Sequence, residues 1–258
     1  MRLREWYSLH FPSLSGLVED NEQFARIVSV CGSRLDFTDE LLSEAKTPEN
    51  LRAQIIGAIS KDIGADLKPT DLIAMQTLAK SITDLYIVRK ELEEYVSDMM
   101  KSIAPNITKL VGPLVGARLI SLAGSLKELA RKPSSTVQIF GAEKALFRSL
   151  KTGADPPKHG VIFQVAEIHS APYWQRGKIA RALAGKLSIA ARIDAYSERD
   201  LGASLREQFE IRVKEIQKQN PEAPPPKPPR KITRPQHRPY GDRGGQRDRG
   251  KRRGGKRR

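Results

Sequence analysis

Residues 70–103 read TDLIAMQTLAKSITDLYIVRKELEEYVSDMMKSI, and this stretch decides the fold. Pro69 closes it upstream, Thr70 offers a capping hydroxyl, and nothing breaks it before Ala104-Pro105. At 1.5 Å per residue it predicts a helix about 50 Å long. Met75, Leu78, Ile82, Leu85, Arg89, Leu92, Val96, Met99 and Ile103 alternate at spacings of three and four, and only Arg89 interrupts the apolar series. That is a coiled-coil repeat over roughly four heptads, and its seam requires a second long helix. The seam of Met75, Leu78, Ile82, Leu85, Leu92, Val96 and Met99 is expected to close on the Leu51–Ile63 helix together with missing upstream sequence, or on a second copy of the chain.

Outward from this helix the texture stays helical. On the N-terminal side, Thr47-Pro48 predicts a cap and a first-turn proline, followed by Leu51, Ile55, Ile59 and Ile63 on one face. Leu17–Val30 predicts a short helix, and Arg4–His10 reads as the end of one, broken at Phe11-Pro12. On the C-terminal side, residues 111–125 are rich in small side chains. Gly112, Gly116 and Gly124 there are no nucleotide fingerprint, since no strand precedes them and no P-loop lysine follows. Further helices are predicted over Ala142–Leu150, Lys178–Asp194 and Ala203–Gln219, with a loop from Lys151 to Arg176 anchored by Val161-Ile162-Phe163. No strand pairing is predicted.

Composition narrows the function classes. The chain has 258 residues, 39% hydrophobic, with a mean hydropathy of -0.48. No apolar run approaches the roughly eighteen residues a membrane helix needs. The opening residues lack the apolar core of a signal peptide, so an intracellular protein with no membrane partner is expected. The single Cys31 excludes an internal disulfide framework and a cysteine-based metal cluster.

Charge is unevenly spread. The formal net charge is +15, yet residues 221–258 hold 14 Lys and Arg against 3 Asp and Glu, leaving the body close to balance. This tail passes from Pro221 and Pro224-Pro225-Pro226 into an Arg/Gly segment with no apolar pattern, so disorder is predicted. It suits either contact with a phosphate backbone or simple solubility. Within the body, Gly141–Leu187 concentrates Lys144, Arg148, Lys151, Lys158, Arg176, Lys178, Arg181 and Lys186 against Glu143, Asp155 and Glu167. Held in register by a fold, such cations can recognise a partner specifically. Lys144, Arg148 and Lys151 share a helix face and can follow a phosphate backbone. His159 reads either as a stacking ring for an unpaired base or as a loop cap, and Trp174 either as a contact or as an anchor of its own loop.

Catalytic chemistry is not expected. His159 and His169 are the only histidines of the basic region, fewer than the three protein ligands a zinc site needs. Ser170 beside His169 is adjacency in sequence and implies no geometry. No metal, cofactor or catalytic residue is assigned.

One run carries more than composition. Gly141-Ala142-Glu143-Lys144-Ala145-Leu146-Phe147-Arg148-Ser149-Leu150-Lys151-Thr152-Gly153, then Pro157-Lys158-His159-Gly160, then Gln175-Arg176-Gly177-Lys178 through Ile193-Asp194, closely resembles the Nop domain. Arg4-Glu5-Trp6-Tyr7, His10-Phe11-Pro12 and Gly116-Ala117-Arg118-Leu119-Ile120 through Gly124-Ser125 resemble the coiled-coil and hinge portions of archaeal Nop-family proteins of box C/D ribonucleoproteins. The similarity covers Leu3 to Tyr196, and the intact Gly141-Ala142-Glu143-Lys144 fits the methylation-complex members better than the spliceosomal relative.

The resemblance implies an all-α chain. A long antiparallel helical coiled-coil domain over 1–113, truncated on its N-terminal side, precedes a compact helical Nop domain over 114–220 and a disordered Pro-rich, then Arg/Gly-rich basic tail over 221–258. It implies a non-catalytic scaffold of the box C/D guide particle that directs ribose 2′-O-methylation of RNA. The Nop domain would bind a composite surface of kink-turn guide RNA and the ribosomal-protein-like subunit that recognises the kink-turn, and the coiled coil would mediate self-association. Fibrillarin, the methyltransferase, binds a separate N-terminal domain in this family and is not expected to bind this chain directly. RNA-facing roles carry over to Lys144, Arg148, Lys158, His159, Arg176, Lys178 and Arg181, with Lys151 on the same row. A cytoplasmic location in an archaeal cell is implied. The competing reading is a general protein-interaction scaffold whose basic tail binds RNA nonspecifically.

Overall fold

A computed structural model of the chain describes residues 2–225, so the expected disorder of the tail beyond Pro225 falls outside the described residues. Within them every regular element is helical. Five short helices come first: α1 (Arg2–Tyr7), α2 (Pro12–Leu17), α3 (Asn21–Cys31), α4 (Asp39–Glu44) and α5 (Glu49–Ile59). Polar side chains set several boundaries, with Asp20 accepting from the Gln23 N–H at the start of α3 and Thr38 from the Leu41 N–H at the start of α4. Thr47 does not cap α5 as the sequence suggested. Pro48 occupies the cap position, and the Thr47 hydroxyl accepts from Gln23 Nε2 instead.

Helix α6 then runs Pro69–Ile103 over 35 residues. Pro69 supplies its first turn, and no side chain caps it, so Thr70 lies inside the helix. The second half holds α7 (Pro105–Val111), α8 (Pro113–Ala123), α9 (Leu126–Arg131), α10 (Ser134–Ile139), α11 (Glu143–Thr152), α12 (Ala166–His169), α13 (Tyr173–Tyr196) and α14 (Gly202–Gln219). Proline opens α7 and α8, where its missing N–H costs nothing.

Two separate cores form. The first gathers Leu3, Tyr7, Phe11, Phe24, Ile27, Leu42 and Ile55 around Met75 and Ala79 of α6. The second surrounds α13, whose Ile179, Leu183, Leu187 and Ala190 pack with Ile107, Leu110, Ile162, Phe209 and Ile216, and reaches α6 through Met100. Each fully buried large apolar side chain contributes about 1.5–3 kcal/mol, so α6 is fixed firmly at both ends. The two cores divide along α6, and α7 packs on α13 and α14 in the second.

The partner of α6 in the first core is α3, whereas α5 packs mainly on α2 and α4. Gly32, at φ 68°, ends α3 against the Gln76 side chain. Gln76 lies close to the start of α6, so α3 can lie along α6 only in the opposite direction. At 11 residues, α3 spans about 16 Å, a third of its partner. That length explains the fate of the seam. Met75 is buried, Leu78 and Ile82 are half-buried in the first core, and Val96 is half-buried in the second. Between them Leu85 is 68% and Leu92 57% exposed, and near the end Met100 turns inward while Met99 faces out. Among the described residues no helix is long and apolar enough to cross a membrane.

Candidate RNA-facing surface

The surface is built around a turn that favours glycine. Gly141 sits at φ 83°, and a Cβ there would stand 2.5 Å from Val161 Cγ2. Its N–H donates to Glu143 Oε1 at 2.8 Å, so the glutamate reaches back over the start of α11. Gly153, in the left-handed region at φ 72°, ends the helix with its N–H donating to the Ser149 carbonyl. Between these stops Lys144, Arg148 and Lys151 are exposed. The surprise is the rest of α11. Of its apolar side chains some must be core by spacing, yet Ser149 is the helix's only buried residue, Phe147 is 60% and Leu150 72% exposed, and Leu146 is half-buried. The helix thus presents cations and large apolar side chains together.

The loop after α11 returns through a second tight contact. A Cβ on Gly160 would meet the Phe140 carbonyl oxygen at 2.0 Å, and the Gly160 N–H donates to the Gln138 carbonyl at 2.9 Å. Gln138 Nε2 donates to the Lys158 carbonyl at 2.7 Å. Ile162 is buried, as the anchoring role of Val161-Ile162-Phe163 requires.

This fixed loop organises a ring cluster. The His159 imidazole stacks on Phe163 at 4.5 Å with an interplanar angle of 11°, and the Arg176 guanidinium lies 5.3 Å from the same Phe163 ring. Burial lowers the His159 pKa below its usual range, and the nearby charges of Arg176 and Lys158 lower it further. With one face on Phe163, the half-buried imidazole is placed as a ring on which another could stack. No hydrogen bond caps the loop through His159 among the described residues. Arg176 is less available than its sequence position suggests, because it donates to the Ala171 carbonyl at 2.8 Å and the His169 carbonyl at 3.2 Å. Lys158 places its ammonium 3.4 Å above the exposed Tyr173 ring and runs its stem along Gly177.

Further along α13 the roles change again. Trp174 anchors its own chain, donating from Nε1 to the Asn220 carbonyl at 3.1 Å at the end of α14. Lys178 donates to Asn220 Oδ1, while Arg181 is exposed. The structure therefore brings Lys158, Tyr173 and Arg176 together with His159 through the two rings, sets Lys144, Arg148 and Lys151 on a neighbouring helix, and leaves Lys178 and Arg181 beside the end of α14. No group of three or more His, Cys, Asp or Glu able to hold a metal occurs among the described residues.

A family profile described as "Nop: snoRNA binding domain, fibrillarin" matches residues 1–215. The chain belongs to the Nop family. An uncharacterised NOP5 family protein of Methanocaldococcus jannaschii is 47% identical over 221 residues, covering 86% of this chain and 53% of that protein. Nucleolar protein 58 of Kluyveromyces lactis is 42% identical over 222 residues, covering 84% of this chain and 43% of the yeast protein. The chain thus spans about half the length of the curated relatives it matches. A crystal structure of a fibrillarin/Nop5p complex contains a chain 27% identical, aligned over 83% of this chain and 69% of that one with a TM-score of 0.41.

In this Nop-family chain the Gly141-to-Lys144 signature has a physical reading. The glycine permits the turn against Val161, the glutamate satisfies the glycine's amide, and the lysine begins the outward row. Phe163 was absent from the residues selected by sequence, because an apolar residue in a loop reads first as an anchor. Its two polar neighbours at 159 and 169 were the available signal, since its ring lies 5.2 Å from His169 as well.

Proposed function

We propose that this chain is a non-catalytic scaffold of a box C/D guide ribonucleoprotein that directs ribose 2′-O-methylation. Its Nop domain, over residues 114–220, binds the composite surface of a kink-turn RNA and the ribosomal-protein-like subunit bound to it, and α6 mediates self-association through its uncovered seam. Lys144, Arg148 and Lys151 hold phosphates, Lys158 and His159 face the RNA beside Tyr173, and Arg176, Lys178 and Arg181 extend the basic surface. Methyl transfer belongs to fibrillarin, acting in the assembled particle in the archaeal cytoplasm. One observation carries this reading: α11 exposes Phe147 and Leu150 on the same short helix as three cations while burying only Ser149. Cations alone suit a phosphate backbone, and apolar side chains alone suit a protein. A helix offering both suits a surface made of both.

The test is a gel-shift titration at fixed ionic strength, comparing box C/D RNA alone with the same RNA prebound by its kink-turn protein. Much tighter binding to the preformed complex is expected, with a loss of about 100-fold or more in Lys144→Glu/Arg148→Glu. Equal, salt-sensitive binding to both would favour the general scaffold, to which the exposed Leu85 and Leu92 lend support.

A further inference from the structure

The joint between α6 and the second core is one residue long. Helix α6 ends at Ile103, Ala104 turns the chain at φ -143° and ψ 65°, and Pro105, with no N–H to continue the helix, opens α7. The first core draws its α6 side chains from the stretch up to Ile82, so α6 acts as a lever arm on Ala104. With 35 residues in α6, a rotation of about 10° at the joint would move its far end by about 9 Å. Near the joint α6 enters the second core through buried Met100 and half-buried Val96. Apolar contacts of this kind are non-directional and set no angle by themselves.

Directional bonds set it instead. Asp194, near the end of α13, accepts the Asn106 N–H on Oδ1 at 3.1 Å and the Ile107 N–H on Oδ2 at 2.9 Å, taking up two amides that the first turn of α7 leaves free. Asn106 is 1% exposed, and both protons of its Nδ2 are used, donated to Asp194 Oδ1 at 2.6 Å and to the Arg199 carbonyl at 2.9 Å. Its Oδ1 accepts the Leu201 N–H at 2.6 Å. On the other side of the joint, Thr108 Oγ1 lies 2.8 Å from the Ala104 carbonyl and 3.1 Å from the Met100 carbonyl, so its one proton is shared across the turn. Such bonds fix direction as well as distance, and a carboxylate facing two backbone donors makes the strongest of them.

We propose that Asp194 is a positioning residue that latches α6 to the second core, so that the free chain holds its exposed α6 seam and its RNA-facing surface at one fixed distance. This rests on the proposed function only for the use of those two surfaces. Helix α13 makes the link direct, because it carries Tyr173 and Arg176 at its start and Asp194 near its end. One helix therefore joins the ring cluster to the joint. A scaffold with a loose joint can hold two partners, whereas one with a latched joint also sets the spacing between them.

The test uses the full chain carrying Cys31→Ala, Ala74→Cys and Ser135→Cys, spin-labelled at the two introduced thiols, which stand at exposed positions of α6 and α10. Double electron–electron resonance reads the distance between the labels. A single narrow distribution is expected for this parent, and a broad one for Asp194→Asn, whose one oxygen cannot accept from both N–H groups. Asn106→Ala keeps the carboxylate on the backbone amides and removes the brace, so it should broaden the distribution less. Circular dichroism shows whether each variant keeps its helices. A narrow distribution in a folded Asp194→Asn protein overturns the proposal, and so does a broad one in the parent. If Asp194→Asn loses its helices, Asn106→Ala decides. A folded Asn106→Ala protein with the parent's narrow distribution would then make the network a stabiliser of the second core and nothing more, which overturns the proposal as well. No RNA takes part, so this outcome is independent of the titration that tests composite binding.

Discussion

Helices α11 and α13 both carry apolar side chains at helical spacing beside several cations, and their environments are opposite. In α13 the sequence KIARALAGKLSIAAR alternates branched residues with alanine and glycine, so neighbouring helices approach closely and Ile179, Leu183, Leu187, Ala190 and Ala191 are all buried. In α11 the sequence EKALFRSLKT offers Leu146, Phe147 and Leu150, but the domain closes without covering the last two. Apolar periodicity therefore identifies a helix and its faces. It does not say whether a face meets the chain's own core or a partner's surface. An exposed apolar patch ringed by cations is the signature of the second case.

One substitution made in both helices can break this contrast. Leu183→Ala removes a fully buried side chain from the second core and is expected to cost about 2–5 kcal/mol of unfolding free energy. Leu150→Ala should change stability by no more than about 0.5 kcal/mol. Urea unfolding followed by circular dichroism reads both values. Comparable losses would mean that α11 is part of the core, and the composite surface would have to be sought elsewhere.

A smaller effect sharpens the contrast at the joint between α11 and the loop. Gly141→Ala must accept φ 83° with its methyl 2.5 Å from Val161 Cγ2. The expected cost is about 1–3 kcal/mol from backbone strain and the displaced valine. Val161→Ala in the same chain should recover part of it, because the methyl then has room. A Gly141→Ala protein as stable as the parent would show that the turn is soft and does not aim α11.

These residues also show how far the sequence could be read. The long α6 was legible because its spacing persists through many turns, and its expected 70–103 limits agree closely with Pro69–Ile103. Its partner was not legible, because helix pairing depends on tertiary geometry, and α3 proved to lie where the Leu51–Ile63 helix was expected. At the candidate surface, the row on α11 follows from spacing alone. The hold of the Ala171 and His169 carbonyls on Arg176 does not, since backbone acceptors leave no trace in side-chain identity. The same limit applies to Asn220, one polar residue at a helix end that receives Trp174, Gln175 and Lys178 only once α13 and α14 are side by side.

The smallest expected effect concerns His159 and places the fixed loop between the two extremes. Its pKa in the folded chain is lowered from 6.5, first by burial and then by Arg176 and Lys158. The unfolded chain therefore binds more protons at mildly acidic pH, and stability must fall as pH drops below about 6.5, levelling off once the folded imidazole is also protonated. His159→Phe keeps a ring on Phe163 and removes the titration. The difference in urea midpoint between the parent and His159→Phe should be flat above pH about 7 and should shift in favour of the variant below pH about 6. A difference that stays constant from pH about 8 to about 5 would show that His159 titrates like a solvent-exposed histidine, and that its ring is not held against Phe163 tightly enough to offer a base a prepared stacking face.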